Sequence, residues 1–194
     1  MDARKLARLV SSFHDDGDPA AEKSQELVLQ LLEHTPAPFS RAQFIPGHIT
    51  STGLVLHPNR DAFLLVEHQR LKRWLLPGGH VETSDRDIWD TARREVIEET
   101  GVALIASPQP ELVGIDVHGI PPSRREPFHL HHDLIFGFRA ESADFNIIDE
   151  VRAAEWCSVR DWEPHNIPFS IRFCVLRALS ALPALKTPAG PLLR

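Results

Sequence analysis

The sequence has few cysteines and no long apolar run, and each shortage excludes a class of protein. Two cysteines in 194 residues, Cys157 and Cys174, are too few for the disulfide framework of a small secreted protein. No stretch of about 18 apolar residues occurs, so we expect no membrane span. The first residues are charged and then polar, without the apolar segment of a signal peptide. We therefore expect a cytoplasmic protein that does not enter a membrane.

Positive charge is also in short supply. Lysine and arginine total 21 against 27 aspartates and glutamates, which gives a net charge of −6. This balance argues against binding to nucleic acid through a basic face. The sequence also lacks a P-loop, a dinucleotide-binding glycine pattern and a nucleophilic-serine motif. These absences exclude several common ways of binding a nucleotide or cleaving an ester.

The first 38 residues predict a small helical arm. Apolar residues at positions 6, 9, 10 and 13 form the stripe of a short amphipathic helix. Asp18 then suits an N-cap with Pro19 at the first helical position, and this second helix ends before Pro36. We therefore divide the chain into the arm, residues 1–38, and a main domain, residues 39–194.

The main domain predicts more strands than helices. Short apolar and β-branched segments bounded by turn residues predict the strands, and a 3.6-residue period predicts the helices. The strands are expected at 49–57, 62–66, 74–76, 111–118, 128–139 and 153–157, and the helices at about 86–100 and 169–182. No regular βαβ alternation is present, so we expect an α+β fold with a mixed sheet flanked by helices.

The helix predicted to end at Thr100 carries the clearest chemical signal. Its packing stripe consists of Trp89, Ala92, Val96 and Thr100. Glu95, Glu98 and Glu99 occupy the adjoining arc, because residues three and four apart are neighbours on a helix. Three carboxylates repel one another unless a hard divalent cation such as Mg²⁺ or Mn²⁺ neutralises them. The alternative is an ordinary solvated helix face.

The loop and helix around these glutamates resemble the motif of the Nudix hydrolase family. Gly79, Asp85 and the run Arg94-Glu95-Val96-Ile97-Glu98-Glu99-Thr100-Gly101-Val102 stand at the motif positions. Two features depart from it: Asp85 replaces a glutamate, and one extra residue precedes Arg94. Because the short side chain of Asp85 suits an N-cap, we expect it to cap the helix.

The resemblance implies an α/β/α sandwich and hydrolysis of a nucleoside diphosphate linked to another group, with Mg²⁺ or Mn²⁺. It assigns the metal to Glu95, Glu98, Glu99 and the carbonyl of Gly79. Arg94 either pairs along the helix with Asp90 or braces one of the glutamates. The catalytic base is one of the three glutamates or a carboxylate outside the motif. The outside candidates are Asp133, Asp149, Glu150 and Glu155, with Glu150 preferred.

Candidate substrate contacts lie outside the motif. Arg70 and Arg73 can neutralise phosphates, although a solvated loop is the alternative. His129, His131 and Asp133 share one face of a predicted strand. These three side chains contact substrate, bind a metal of their own, or only line the sheet; the sequence leaves all three alternatives open.

Two other functions on the same fold compete with hydrolysis. One is a non-catalytic nucleotide sensor, and the other is a diphosphate isomerase, which needs a reactive cysteine or an equivalent acid. Neither Cys157 on a strand nor Cys174 on a helix suits that acid. A homodimer is also expected from the resemblance, whereas the identity of the nucleotide substrate is not encoded in the motif.

Overall fold

The computed structural model describes residues 1–69, 71–107, 109–147, 151–160 and 162–182. It contains, in chain order, α1 (Ala3–Ser11), α2 (Pro19–His34), β1 (Gly47–Leu56), β2 (Ala62–His68), β3 (Arg73–Leu75), β4 (Gly78–His80), α3 (Ile88–Thr100), β5 (Glu111–Ile120), β6 (His129–Arg139), β7 (Val151–Ser158), a short 3₁₀ turn (Glu163–His165) and α4 (Phe169–Ala181). No helix among these described residues is both long and apolar enough to cross a membrane.

The two N-terminal helices form where the sequence predicts them. The Asp18 carboxylate accepts hydrogen bonds from the first backbone N–H groups of α2, and Pro19 begins that helix. The buried side chains of Leu6, Val10 and Val28 belong to the same apolar cluster as α3 and the sheet. The helices thus pack on the main domain, and the boundary at residue 38 stays a prediction.

The sheet is mixed, as expected. Its strand order is β3-β2-β1-β6-β5, with β4 paired to β1 and β7 paired to β2. The β1–β6 pair is parallel, and the other pairs are antiparallel. Along one edge, β1 pairs with β4 over Thr50–Thr52 and with β2 only at Leu56. The short strand β4 therefore occupies the gap where β1 and β2 diverge.

Helices cover both faces of the sheet, which confirms the α/β/α arrangement. Helix α3 packs on β1 where Gly53 provides room, because a Cβ atom there would lie 2.3 Å from Val96 Cγ2. The other face packs against α4 through residues such as Leu54 and Ile135. Odd-numbered positions of β1 therefore face α3, and even-numbered positions face the opposite side.

Strand β4 and the start of α3 differ from the sequence prediction. The strands expected from the sequence include none at 78–80, but Gly78 and Gly79 pair with Thr52 and Ser51 of β1. Helix α3 begins at Ile88, two residues after the predicted start, with Asp87 as its N-cap.

Candidate functional site

Helix α3 is fixed at both ends and along one side. At its start the Asp90 carboxylate accepts a hydrogen bond of 3.0 Å from the Asp87 N–H. At its end Gly101 adopts a left-handed conformation, φ 61°, which glycine permits without steric cost. The predicted packing stripe is confirmed, since its four residues, Trp89, Ala92, Val96 and Thr100, are buried. This burial fixes which side of the helix the glutamates occupy.

Arg94 joins the loop before α3 to the glutamates on it. Its Nε and Nη2 atoms donate to Asp85 at 3.2 and 3.1 Å, and Nη1 donates to Glu95 at 2.9 Å and to Glu98 at 3.0 Å. Nη2 also donates to the backbone carbonyl of His80 at 2.8 Å. Burial opposes the charge, but these carboxylates raise the pKa of Arg94. Arg94 therefore braces two glutamates.

The other alternative for Arg94, a pair with Asp90, is not what the structure contains. The neighbouring residue Arg93 lies 3.6 Å from the Asp90 carboxylate. This leaves the guanidinium of Arg94 for the loop and for the glutamates.

Asp85 is the buried anchor of that loop. Its carboxylate accepts hydrogen bonds from the Glu82 N–H at 2.9 Å and from the Thr91 hydroxyl at 2.8 Å, besides those from Arg94. Burial raises its pKa, but the hydrogen bonds from Arg94, Glu82 and Thr91 outweigh burial and hold the pKa below its usual value. The prediction that Asp85 caps the helix is therefore wrong. Asp87 takes that place, and Asp85 instead orients Arg94.

Gly79 and Glu95 lie against each other, as the motif implies. A Cβ atom on Gly79 would lie 2.5 Å from Glu95 Oε1 and 2.6 Å from its Cδ. The carboxylate therefore occupies the space that a side chain at position 79 would fill. Burial raises the pKa of Glu95, although its contacts with Arg94 act in the opposite direction. A cation beside this carboxylate would stabilise its charged form, which burial disfavours by removing water.

The charges around Arg94 fit a divalent cation. Asp85, Glu95 and Glu98 all accept hydrogen bonds from this one guanidinium, and Glu82 lies 3.9 Å from it. Four negative charges therefore face one positive charge. Glu99 follows Glu95 by one turn on the same side of the helix and is half-buried, whereas Glu98 is exposed. Carboxylate and carbonyl oxygens are the ligands that Mg²⁺ and Mn²⁺ prefer. The residues present therefore fit the metal that the motif implies.

His129, His131 and Asp133 share one face of β6, and more histidines join them than the sequence suggested. The ring centroids of His129 and His131 are 5.2 Å apart. His48 of β1 lies 4.9 Å from His131, and His80 of β4 lies 5.1 Å from it. His48 and His80 carry no signal in the sequence, because only strand pairing brings them to this face.

The crowding of these rings favours their neutral forms. Burial, followed by the charge of Arg41, lowers the pKa of His80 to about 4. Burial, followed by the charge of His80, lowers the pKa of His131 to about 2. At the edge of this group of rings, a hydrogen bond with Asp116 raises the pKa of His118. The ring centroids of His118 and His131 are 5.7 Å apart. We call His48, His80, His118, His129 and His131 the histidine cluster.

Asp133 lies beneath this cluster. It accepts a hydrogen bond of 2.9 Å from the Thr50 hydroxyl and is 8% exposed. Burial raises its pKa, and the hydrogen bonds from Thr52 and Thr50 only partly offset that effect. A carboxylate sealed in this way is poorly placed to take a proton from solvent water.

The remaining predicted residues are spread around the site. Arg73 begins β3, is exposed and acts electrostatically on His118. The Glu155 carboxylate contacts the imidazole of His165. Arg70, Asp149 and Glu150 lie outside the described residues. The structure thus brings together Gly79, Arg94 and the glutamates of α3, and it groups the histidines on a separate face.

Comparison with known proteins identifies related chains. The family model for the NUDIX domain matches residues 47–173. A curated relative, the "Probable DHNTP pyrophosphohydrolase" of Lactococcus lactis subsp. cremoris (strain MG1363), is 31% identical over 134 residues, covering 66% of this chain and 77% of that protein.

The chain is also similar to solved structures of NUDIX proteins. The NUDIX domain of Shewanella oneidensis NrtR complexed with ADP ribose has 19% identity, covers 79% of this chain and 97% of its own, and has a TM-score of 0.49. A NUDIX hydrolase from Nitrosomonas europaea has 21% identity, covers 69% and 88%, and has a TM-score of 0.49.

Proposed function

The chain belongs to the Nudix family, and we propose that it is an Mg²⁺- or Mn²⁺-dependent pyrophosphohydrolase. Its substrate is a nucleoside diphosphate linked to another group, and water attacks one phosphorus of the phosphoanhydride. The observation that carries the proposal is the contact between Gly79 and the Glu95 carboxylate, with Arg94 bridging Glu95 to Glu98. The name of the curated relative, a pyrophosphohydrolase, supports the same reaction.

The metal would be held by the carboxylates of Glu95, Glu98 and Glu99 and by the carbonyl of Gly79. When bound, a divalent ion neutralises phosphate oxygens and lowers the pKa of a coordinated water. The protein contributes the prior arrangement of the ligands. Arg94 holds two of the carboxylates in place, and Asp85 holds Arg94.

The base that accepts the proton of the attacking water is, in this proposal, one of the three glutamates or Glu150. Glu98 is exposed, so water can reach it directly. The half-buried Glu95 has a raised pKa, which favours proton uptake nearer neutral pH. The pH dependence of kcat in the three single Glu→Gln variants distinguishes them, because removal of the base abolishes the acidic limb of the profile.

The substrate side of the proposal uses Arg70, Arg73, His129, His131 and Asp133. The shared face of the last three and the electrostatic effect of Arg73 on His118 support it. Arginine provides charge for phosphates, and neutral imidazoles can donate or accept hydrogen bonds. We propose a small nucleotide as the ligand, with no nucleic-acid partner, and a cytoplasmic homodimer as the working form. Sedimentation of the purified protein tests the dimer.

A substrate screen with Mg²⁺ or Mn²⁺ tests the reaction. Its panel contains nucleoside triphosphates, nucleotide sugars, dinucleoside polyphosphates, ADP-ribose and DHNTP. On the best substrate, Glu99→Gln should lower kcat by about 100-fold or more while the fold persists, because a metal ligand is lost. Glu26→Gln, on the exposed side of α2, is the matched control. Nearly normal turnover by Glu99→Gln would contradict the proposal.

The same experiment separates the two competing functions. Tight nucleotide binding with no phosphate release in excess Mg²⁺ would indicate a sensor. Phosphorus NMR of the products would reveal an isomerase. Against the isomerase, Cys157 is 2% exposed and Cys174 is 4% exposed, and burial raises the pKa of the Cys174 thiol to about 12.

A further inference from the structure

Three histidines from three strands converge on the sheet face opposite α3. The imidazole nitrogens that His48, His80 and His131 offer all lie within 4.8 Å of one another. We propose that these three residues form a second metal site, for a borderline divalent ion of the zinc class. It is separate from the carboxylate site on α3 and does not depend on the proposed hydrolysis.

The strand pairing explains how the three residues meet. Parallel pairing sets His48 of β1 directly beside His131 of β6. Antiparallel pairing sets His80 of β4 beside Thr50, two residues further along β1 and on the same face. The tertiary structure therefore places these three rings together, although they are distant in sequence. The backbone of three paired strands holds them, which is more rigid than a loop.

His48 has the surroundings of a metal ligand. It is fully buried, and its Nδ1 lies 3.1 Å from the Gln43 carbonyl oxygen. Donation from Nδ1–H to this carbonyl leaves the Nε2 lone pair free. That Nε2 atom is buried and has no hydrogen-bond partner among the described residues. Metal-bound histidines commonly have this arrangement, in which one ring nitrogen donates to a carbonyl and the other binds the ion.

The other two rings are similarly available. Within the described part of the chain, the ring nitrogens of His80 and His131 make no hydrogen bond, and the aromatic rings paired with them all belong to the histidine cluster. A buried imidazole normally satisfies its polar atoms. Here one buried ring with a free Nε2 atom and two half-buried rings with available nitrogens lie together, which points to a shared cationic ligand.

The distances fit a tetrahedral ion after a small adjustment. With Zn–N bonds of about 2.0–2.1 Å, two ligand nitrogens in tetrahedral geometry are about 3.4 Å apart. The separations here, at most 4.8 Å, need to shorten by no more than about 1.4 Å, which rotation of two rings can supply. Three protein ligands leave a fourth position for water or an anionic oxygen.

The chemistry of the ligands distinguishes this site from the glutamate site. Imidazole nitrogens suit zinc, copper, nickel and iron, whereas Mg²⁺ prefers oxygen. The pleat also separates the two sites, because Gly79 faces Glu95 whereas the side chain of His80 points to the other face. A deletion of carboxylates on α3 should therefore leave the histidine site intact.

Metal binding by the full-length protein tests the proposal. The protein is stripped with a chelator and titrated with Zn²⁺ by calorimetry, and with Co²⁺ by visible absorption. We expect one tightly bound equivalent and the intense visible bands of tetrahedral Co²⁺. His80→Ala and His131→Ala should weaken Zn²⁺ binding by more than about 100-fold, since changes outside the ligand shell already cost roughly 10- to 100-fold. Both residues are only partly buried, so both variants should fold, which circular dichroism checks.

Two control variants make the result decisive. His34→Ala removes an exposed histidine of α2 and should bind Zn²⁺ as the wild type does. Glu99→Gln should also retain it, even if hydrolysis is lost. Undiminished Zn²⁺ binding in both folded cluster variants would overturn the proposal. So would loss of the tight site in Glu99→Gln, because that result would place the ion on the carboxylates of α3.

Discussion

A methyl group added at Gly79 tests whether the contact between β4 and Glu95 controls catalysis. In Gly79→Ala the new Cβ would lie 2.5 Å from Glu95 Oε1, whereas an ordinary contact begins at 3.4 Å. The carboxylate must therefore retreat by about 0.9 Å, the difference between those two distances. This retreat also disturbs the 2.9 Å hydrogen bond from Arg94. A displacement of about 1 Å in a catalytic group can cost about 100-fold in rate.

We therefore expect kcat/KM of Gly79→Ala to fall by about 100-fold, which corresponds to about 2.7 kcal/mol of transition-state stabilisation. The assay is the initial rate of Mg²⁺-dependent hydrolysis of the best substrate in the screen. Urea denaturation, measured in parallel, should show that the free energy of unfolding changes by much less than the transition-state stabilisation does. The reason is that alanine destabilises a strand less than glycine does.

Gly119→Ala is the matched control on another strand. There the added Cβ would meet the Phe128 ring at 2.9 and 3.0 Å. Phe128 is 60% exposed and can rotate away, so the rate should not change. If Gly79→Ala folds and hydrolyses substrate as fast as the wild type, the position of Glu95 against β4 is irrelevant to catalysis and the reasoning fails.

Three further predictions concern the supports of the site. Arg94→Ala leaves the Asp85 carboxylate buried without its cation, so urea denaturation should show a loss of about 3 kcal/mol; an unchanged midpoint would refute the role of the pair. The folded-state pKa of Asp85 is lowered from 3.8, so its stabilisation is present above pH 3.8 and is lost as pH falls through the folded-state pKa. The stability gap between wild type and Asp85→Asn should therefore shrink in acid, and a gap independent of pH would contradict this linkage. Gly53→Ala places a Cβ 2.3 Å from Val96 Cγ2 and should cost roughly 1–3 kcal/mol. The double variant Gly53→Ala/Val96→Ala should lose less free energy of unfolding than the sum of the losses of the two single variants. Strict additivity in thermal unfolding would argue against the contact.

The sequence predicted those elements whose signals are local. Asp18 followed by Pro19 correctly marked the start of α2, because capping depends on groups within one helical turn. The prediction of the packing stripe of α3 was also correct, since helical periodicity decides which side chains are buried together. With that stripe fixed, the position of the three glutamates followed from geometry.

The start of α3 shows where local signals are insufficient. Asp85 and Asp87 are both suitable caps, and residue type alone does not separate them. Hydrogen bonds from Thr91 and Arg94 draw Asp85 into the loop, so Asp87 takes the cap. Arg94 is nine residues from Asp85, and this distant contact decided the local structure.

The histidine cluster could not be predicted, because it depends on which strands pair. His129 and His131 were visible as neighbours on one strand face. Their proximity to His48 requires the parallel pairing of β1 with β6, whose residues are separated by more than 80 positions. His80 requires β4 to be a strand, and a Gly-Gly pair favours a turn prediction.

Strand β4 explains why the two candidate metal sites lie so close without sharing a side chain. In a three-residue strand, adjacent positions point to opposite faces of the sheet. Position 79 faces α3, and only glycine leaves room there for the Glu95 carboxylate. Position 80 faces the histidine cluster, while its backbone carbonyl accepts the hydrogen bond from Arg94. A change of side chain at His80 therefore removes an imidazole but keeps the carbonyl that holds Arg94, whereas a displacement of β4 itself would disturb both sites.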